Sequence, residues 1–180
     1  MCIRDRAPTV APPPPPGTVA VTAVGDSVML SAASPLKAQL GAAGVIDAKV
    51  SRQFREGTAI VTQLARQGSL ASLVVIHLGT NGPPTPAEVD ALVAAAAGKR
   101  VLLVTVRLAQ SWMADTNAVL TDAPTRHPSV TVVDWFAHSE GRPEWFLSDG
   151  THLTKPGAAA YTALIGSALA PPPAPAATPP

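Results

Sequence analysis

The sequence predicts an α/β protein built around a parallel β-sheet. Short apolar runs alternate along the chain with segments of helical character, and this alternation is typical of strands and helices joined by right-handed crossovers. Three of the runs are rich in Val, Ile and Leu without polar alternation, as expected for strands buried on both faces of a sheet. The body between the chain ends is long enough to bury a single core without disulfides.

Five strands and five helices follow from this pattern. The predicted strands are, in chain order, Thr18–Val24, Ile46–Val50, Leu70–Leu78, Arg100–Val106 and Val130–Asp134. The predicted helices lie near residues 28–42, 53–67, 86–97, 112–126 and 155–169. Because ligands of such folds bind beyond the carboxyl ends of the strands, we expect functional residues directly after the strands.

Proline-rich segments flank one predicted domain, which covers residues 18–170. Twelve of the 20 prolines fall within residues 1–17 and 171–180. Proline lacks an amide donor and has a fixed φ, so both segments are predicted to be extended and disordered, as a linker and a tail. Such a segment can alternatively serve as a ligand for an SH3-like domain.

The composition excludes several classes of function. Residues 18–170 carry 11 Lys and Arg against 11 Asp and Glu, so they lack the basic face of a nucleic-acid-binding protein, and an aromatic fraction of 4% disfavours a base-stacking surface. The single cysteine, Cys2, excludes a disulfide framework and a multi-cysteine zinc site. No apolar run approaches the roughly 18 residues of a membrane span, and the opening residues lack the features of a secretory signal. The four histidines include no HExxH pair, so we expect neither a metal nor a cofactor.

Glycine-flanked polar residues follow the first and third predicted strands. In the segment Gly25-Asp26-Ser27, glycine permits a tight turn that exposes the Ser27 hydroxyl at a helix N-terminus, although Asp and Ser are also favoured N-caps. Asn81 follows the third strand between glycines. Its amide either belongs to a turn or donates a hydrogen bond to a developing oxyanion.

A third polar segment, residues 148–154, comes after the fifth strand. It contains Asp149 and His152, three residues apart, so the carboxylate can orient the imidazole. Either residue alone is typical of a solvated loop. Together with Ser27, however, they supply the nucleophile, the base and the orienting acid that nucleophilic catalysis by serine requires.

These segments resemble the signature blocks of the SGNH hydrolase superfamily, also called GDSL-like esterases. The blocks are present as Gly25-Asp26-Ser27, Gly79-Thr80-Asn81 and Asp149-Gly150-Thr151-His152. The resemblance spans about residues 18–170 and implies a three-layer α/β/α sandwich of flavodoxin-like type, with five parallel strands in the order 2-1-3-4-5. It also implies that Ser27 is the nucleophile, His152 the base and Asp149 its orienter. The implied oxyanion hole consists of the Ser27 amide, the Asn81 side chain and an amide of a further block, which lies after the second strand.

The block after the second strand departs from the family pattern. Ser51 stands after the second strand, where the family usually has glycine. A serine amide can still donate to an oxyanion, but Ser51 must then adopt the backbone geometry that glycine would have taken. The prediction that Ser51 contributes to the oxyanion hole depends on that geometry.

Finer details resemble one branch, the extracytoplasmic SGNH domain that follows a membrane acyltransferase-3 domain in bacterial peptidoglycan O-acetyltransferases. The details are the segments 25–29, 47–53 and 149–154, together with Trp112 and Asn117. The resemblance implies that an acetyl group passes through the serine to a glycan hydroxyl, outside the cytoplasm, with a membrane acyltransferase domain as a partner in the native chain. The alternatives are a free carbohydrate acetylesterase, acting on a small acetylated ester or glycan, and a non-catalytic glycan-binding module. The complete set of Ser27, Asp149 and His152 argues against the module.

The remaining aromatic and histidine residues support the site or the core. Trp112 either stacks on a sugar ring as a substrate-binding residue or packs at the start of a helix. His77 lies within an apolar strand, which predicts a hydrogen-bonded core residue. Trp135, Trp145 and Phe146 are predicted to close the core beneath the loop that carries Asp149 and His152.

Overall fold

The structure is a computed structural model that describes residues 19–170. It contains one sheet of five parallel strands, β1 (Val21–Gly25), β2 (Gly44–Ala48), β3 (Leu73–His77), β4 (Arg100–Val104) and β5 (Val130–Val133). The strand order is β2-β1-β3-β4-β5, which confirms the predicted order. The predicted linker, the predicted tail and the start of the first predicted strand lie outside the described residues.

Seven α-helices and one 3₁₀ helix connect and follow these strands in the described part of the chain. The helices are α1 (Ser27–Ser31), α2 (Ala33–Leu40), α3 (Phe54–Arg66), α4 (Pro86–Ala95), α5 (Met113–Arg126), α6 (Trp135–His138) and α7 (Lys155–Ala168). The 3₁₀ helix, Pro143–Trp145, precedes the loop that carries His152. The single helix predicted over 28–42 is therefore two helices, since the chain turns at Ala32 with φ −101° and ψ 6°.

The five strands differ from their predicted bounds by up to three residues, and for two of them the reason is an apolar residue that lies outside the strand. Leu70 is buried although it lies in the connection before β3, so burial of a loop imitates the signal of a strand. Val50 lies in the turn after β2 with 59% of its surface exposed. The strand predicted at Ile46–Val50 accordingly runs two residues earlier.

Alternating side chains of the buried strands enter two hydrophobic clusters, one on each face of the sheet. Val21 and Val75 pack with α2 and α7 on one face, whereas Val74 and Ile76 pack with α3, α4 and α5 on the other. This arrangement confirms the predicted three-layer α/β/α sandwich. It also explains the absence of polar alternation in these strands, because neither face meets solvent.

The carboxyl edge of the sheet is held in position by a close approach of α7 to the 3₁₀ helix. A Cβ at Gly157, in the first turn of α7, would lie 2.0 Å from the carbonyl oxygen of Trp145. The Thr154 amide also donates to that carbonyl, at 2.9 Å. The absence of a side chain at Gly157 therefore lets the loop between residues 146 and 153 close against the sheet.

Candidate active site

A tight turn between β1 and α1 presents the Ser27 hydroxyl. The Asp26 carboxylate is buried and accepts the Val28 amide hydrogen at 3.0 Å, so Asp26 is the N-cap of α1. A Cβ at Gly25 would lie 2.5 Å from the Cβ of Met29, which explains why glycine stands before the cap. Since Asp26 caps the helix, the half-buried Ser27 side chain is free for another interaction.

The loop after the 3₁₀ helix folds around the Asp149 carboxylate. Phe146 and Leu153 form an antiparallel bridge at its base. One Asp149 oxygen, Oδ1, accepts the amide hydrogens of Thr151 and His152, each at 2.9 Å. These bonds fix the carboxylate relative to the imidazole three residues later.

Ser27, His152 and Asp149 form a continuous hydrogen-bonded chain. His152 Nε2 lies 2.9 Å from Ser27 Oγ, and His152 Nδ1 lies 2.7 Å from Asp149 Oδ2. The hydrogen bonds from the His152 side chain and backbone hold the pKa of the Asp149 carboxyl below its ordinary value, so it is ionised at neutral pH. An ionised carboxylate can only accept, which places the ring proton on Nδ1 and leaves Nε2 free to accept the Ser27 hydroxyl proton.

In the turn after β2, Ser51 has the backbone conformation that a glycine would have taken at this position. Its φ is +59°, and no other non-glycine residue in the range 19–170 has a positive φ. The Arg52 amide donates to the Lys49 carbonyl at 3.4 Å and closes the turn around Ser51. A left-handed conformation costs an L-residue roughly 1–2 kcal/mol, so the surrounding contacts must hold the turn in place.

Arg52 supplies those contacts, a role that the sequence pattern did not predict. The Arg52 side chain is 5% exposed, donates to the Gly25 carbonyl at 3.0 Å, and pairs with the Asp47 carboxylate at 2.5 Å. It also donates to the Asp47 carbonyl. The guanidinium thus joins the ends of β1 and β2 beside Ser27. The position of an arginine within the segment 47–53 was the available signal.

Asn81 lies in the turn after β3 and contacts the same arginine through the main chain. Its Nδ2 donates to the Arg52 carbonyl at 3.4 Å. Gly79, with φ +115°, begins this turn, and a Cβ there would lie 2.6 Å from the Thr116 methyl group. The structure therefore brings the segment Gly79-Thr80-Asn81 together with the turn that contains Ser51 and Arg52, whereas no hydrogen bond joins Asn81 to Ser27.

The chain is similar to known proteins in sequence and in fold. Over 147 residues the chain is 39% identical to the peptidoglycan O-acetyltransferase OatA of Listeria monocytogenes, a match that covers 82% of this chain and 23% of that protein. The C-terminal catalytic domain of the Streptococcus pneumoniae enzyme of the same name, solved with a methylsulfonyl adduct, superimposes with a TM-score of 0.75 at 25% identity, covering 84% of this chain and 93% of that domain. A Bacteroides fragilis protein described as a putative acylhydrolase has the same fold, with a TM-score of 0.68 at 19% identity over 87% of this chain and 89% of its own.

The chain is a homologue of the peptidoglycan O-acetyltransferases named OatA over one domain, and it has the fold of GDSL-type SGNH hydrolases. No family model matches it. The chain spans about a quarter of the length of the curated relatives that it matches. The similarity therefore concerns one part, about a quarter, of each of those relatives.

A cavity of about 400 Å³ opens beside the Ser27–His152–Asp149 chain of this SGNH domain, and we call it the site cavity. Asn81 and Trp112 line it together with His152 and Asp149. Trp112 is half-buried and also precedes the first residue of α5, so both interpretations made from the sequence agree with its position. The Asn117 side chain, by contrast, exchanges two hydrogen bonds with the Val106 main chain, at 2.8 and 2.9 Å, and supports the wall behind the cavity.

The other histidine and aromatic predictions concern the core of the SGNH domain. His77 is fully buried, its Nδ1 lies 2.7 Å from the Tyr161 hydroxyl oxygen, and burial lowers its pKa. It is therefore a neutral core residue, as predicted. Trp135 is fully buried and stacks on Trp145 with ring centroids 5.8 Å apart, and Phe146 packs against it at 5.9 Å. These three rings close the core beneath the loop, as predicted.

Residues 19–170 contain no group of three or more histidine, cysteine or acidic side chains arranged to hold a metal ion. None of the helices over this range has the length and apolar character needed to cross a membrane.

Proposed function

We propose that this domain transfers acyl groups, and acetyl in particular, through a covalent ester on Ser27. The observation that supports the proposal most strongly is the 2.9 Å distance between His152 Nε2 and Ser27 Oγ, with Asp149 bonded to the other ring nitrogen. A serine hydroxyl is a weak nucleophile at neutral pH, and a base within hydrogen-bond distance activates it. Asp149 fixes the tautomer and stabilises the imidazolium that forms.

The reaction needs two acyl transfers. In the first, Ser27 Oγ attacks the carbonyl carbon of the donor while its proton moves to His152 Nε2, and the leaving group departs with that proton. In the second, a hydroxyl gives its proton to Nε2 and attacks the acyl carbon, and Ser27 leaves as the free alcohol. The second hydroxyl belongs either to water or to a sugar.

Each transfer places negative charge on the carbonyl oxygen, and we propose that three groups stabilise it. They are the amides of Ser27 and Ser51 and the side-chain amide of Asn81. Arg52 supports this assignment. Its guanidinium donates to the Gly25 carbonyl close to Ser27, and its main-chain carbonyl accepts a hydrogen bond from the Asn81 side chain. Donors that are fixed before the reaction stabilise an oxyanion without reorganisation.

Replacing Ser51 with glycine or alanine tests whether its contribution comes from the main chain. Because the proposed donor is the amide, we expect both variants to retain ester hydrolysis within about threefold of the wild type. Ser51→Gly also removes the cost of the positive φ, so its melting temperature should exceed that of Ser51→Ala. A loss of about tenfold or more in both variants would assign the contribution to the hydroxyl instead.

We propose peptidoglycan glycan as the acceptor and the cell envelope, outside the cytoplasm, as the location. The relative from Listeria monocytogenes is a peptidoglycan O-acetyltransferase. Because the chain spans about a quarter of that protein, a membrane acyltransferase domain in the native chain is part of the same proposal. A free acetylesterase is the second candidate, and the 39% exposure of the His152 side chain favours it, since water reaches the base.

Product analysis separates the two candidates. Water is present at about 55 M, so transfer competes only if the site aligns a sugar hydroxyl, and aligned groups reach effective molarities on the order of 10⁵ M. With p-nitrophenyl acetate as donor and β-1,4-linked aminosugar oligomers as acceptors, we expect acetylated oligomers alongside free acetate by mass spectrometry. Acetate alone, with every acceptor tried, would favour the esterase.

The same assay tests the position of Trp112. A ring that stacks on the acceptor positions sugar but not water, so Trp112→Ala should reduce transfer at least about fivefold more than hydrolysis. Trp112→Phe, which keeps an aromatic face, is the matched control and should retain most of the transfer. An equal loss of both products in Trp112→Ala would show that the ring only packs against α5.

A further inference from the structure

A second cavity, of about 540 Å³, adjoins the site cavity and is called here the Arg107 cavity. Leu108 and Ala109 line both cavities, so the two share a wall. The Arg107 cavity is also lined by Ser148 and Gly150, the two neighbours of Asp149 in the chain. A ligand that extends along this loop from the site cavity therefore enters the Arg107 cavity next.

The Arg107 guanidinium lies over aromatic rings and has no acidic partner among residues 19–170. Its central carbon lies 5.5 Å from the ring centroid of Phe136 and 5.6 Å from that of Phe146. The hydrogen bond that it makes, to the Phe136 carbonyl, is long at 3.5 Å. Arg107 forms no ion pair with any residue from 19 to 170, in contrast to three other arginines that each pair with a carboxylate, namely Arg52, Arg126 and Arg142.

An arginine in this arrangement is preorganised to bind an anion. Stacking on two rings restricts the side chain, so little further conformational entropy is lost when a ligand binds. Most of its five N–H donors remain available, and their planar geometry matches the two oxygens of a carboxylate. A phosphate would meet the same donors, but the proposed acceptor of this domain is a glycan whose natural anionic group is a carboxylate.

We propose that the Arg107 cavity binds a carboxylate of the acceptor glycan and thereby positions the neighbouring sugar hydroxyl at the acyl-Ser27 ester. The proposal rests on the proposed function of the site and specifies its substrate class, an aminosugar polymer that carries carboxylates. In peptidoglycan the carboxylate belongs either to the lactyl ether of muramic acid or to a peptide attached through that ether. Arg107 is accordingly a specificity-determining residue, whereas the chemistry remains with Ser27.

The experiment compares acceptors that differ in charge, in the full chain with p-nitrophenyl acetate as donor. The acceptors are a neutral N-acetylglucosamine oligomer, an oligomer of equal length with free lactyl carboxylates, the same oligomer with those carboxylates amidated, and a peptide-bearing oligomer. For the wild type we expect KM to be at least about tenfold lower for a carboxylated acceptor than for the neutral one, because charge-assisted bidentate bonds are strong. The amidated and peptide-bearing oligomers identify which carboxylate Arg107 binds.

Arg107→Met should remove the preference, so that KM for carboxylated and neutral acceptors becomes equal within about twofold. Arg107→Lys keeps the charge and should retain part of the preference, a rescue that a purely structural role would not produce. Arg142→Met is the matched control, because Arg142 also lies over a ring, that of Trp145, but is paired with Glu144 and does not line the cavity. Its acceptor preference should equal that of the wild type.

The proposal is overturned if the wild type does not distinguish charged from neutral acceptors, or if Arg107→Met weakens both equally. If the wild type transfers to no acceptor, the proposed transferase function fails, and the carboxylate site is then measured by calorimetric titration of the same oligomers. Carboxylate-dependent binding that is lost in Arg107→Met supports the site even then, whereas equal binding of neutral and charged oligomers rejects it.

Discussion

Replacing Ser27 with alanine lowers kcat for hydrolysis of p-nitrophenyl acetate by about 10³-fold or more. The change removes one hydroxyl at a half-buried position and leaves the cap by Asp26 in place, so the melting temperature should stay within about 3 °C of the wild type. Without the nucleophile no acyl-enzyme forms, and only stabilisation of the oxyanion and substrate binding remain. The measurement is a steady-state rate with purified protein at equal concentration.

Ser31→Ala is the matched control, because Ser31 ends the same helix, is exposed, and bonds only to the Val28 carbonyl. It should hydrolyse the ester at the wild-type rate. If folded Ser27→Ala retained more than about a tenth of the wild-type rate, Ser27 would not be the nucleophile.

Replacing Arg52 with methionine destabilises the domain by about 2–3 kcal/mol and lowers esterase turnover by about 10²-fold. The stability loss follows because the buried Gly25 carbonyl loses a charge-assisted hydrogen bond and Asp47 loses its ion-pair partner. For a domain of this size the melting temperature should fall by roughly 5–10 °C. Turnover falls because the turn that carries Ser51, together with the residue-52 carbonyl to which Asn81 donates, loses the guanidinium that joins it to β1.

Arg55→Met provides the comparison, since Arg55 is exposed in the first turn of α3 three residues later. We expect its melting temperature and turnover to match the wild type. A melting temperature of Arg52→Met within about 2 °C of the wild type would mean that Arg52 does not support the turn around Ser51.

Patterns that depend on local chemistry predicted much of this molecule. Val74, Val75 and Ile76 lie in a buried strand because both faces of the sheet are covered, and a continuous apolar run indicates that directly. The strand order and the pairing of Ser27 with His152, 125 positions later, came from resemblance, since periodicity contains no information on contacts so distant in the chain.

The sequence could not reveal the features that depend on tertiary contacts. From its sequence alone, Arg52 is expected to be a surface residue. It is buried because β1 and β2 bring the Gly25 and Asp47 carbonyls to its guanidinium. The sequence indicated that the role of Ser51 depends on its backbone conformation, but the φ of +59° is known only from the folded turn. The interruption at Ala32 is different, because Pro35 in the first turn of α2 cannot donate an amide hydrogen to the Ser31 carbonyl, so the sequence did contain a signal for it.

The roles proposed for Ser27, His152 and Asp149 make one direct prediction about the protein's own mass. Wild-type protein mixed with excess p-nitrophenyl acetate and quenched in acid within milliseconds to seconds should gain one acetyl group. Fragmentation should locate that group on Ser27, and Ser27→Ala should gain none under the same conditions. An acetyl group located elsewhere, or full turnover with no acetylated protein at any quench time, would contradict the account of acyl transfer through Ser27.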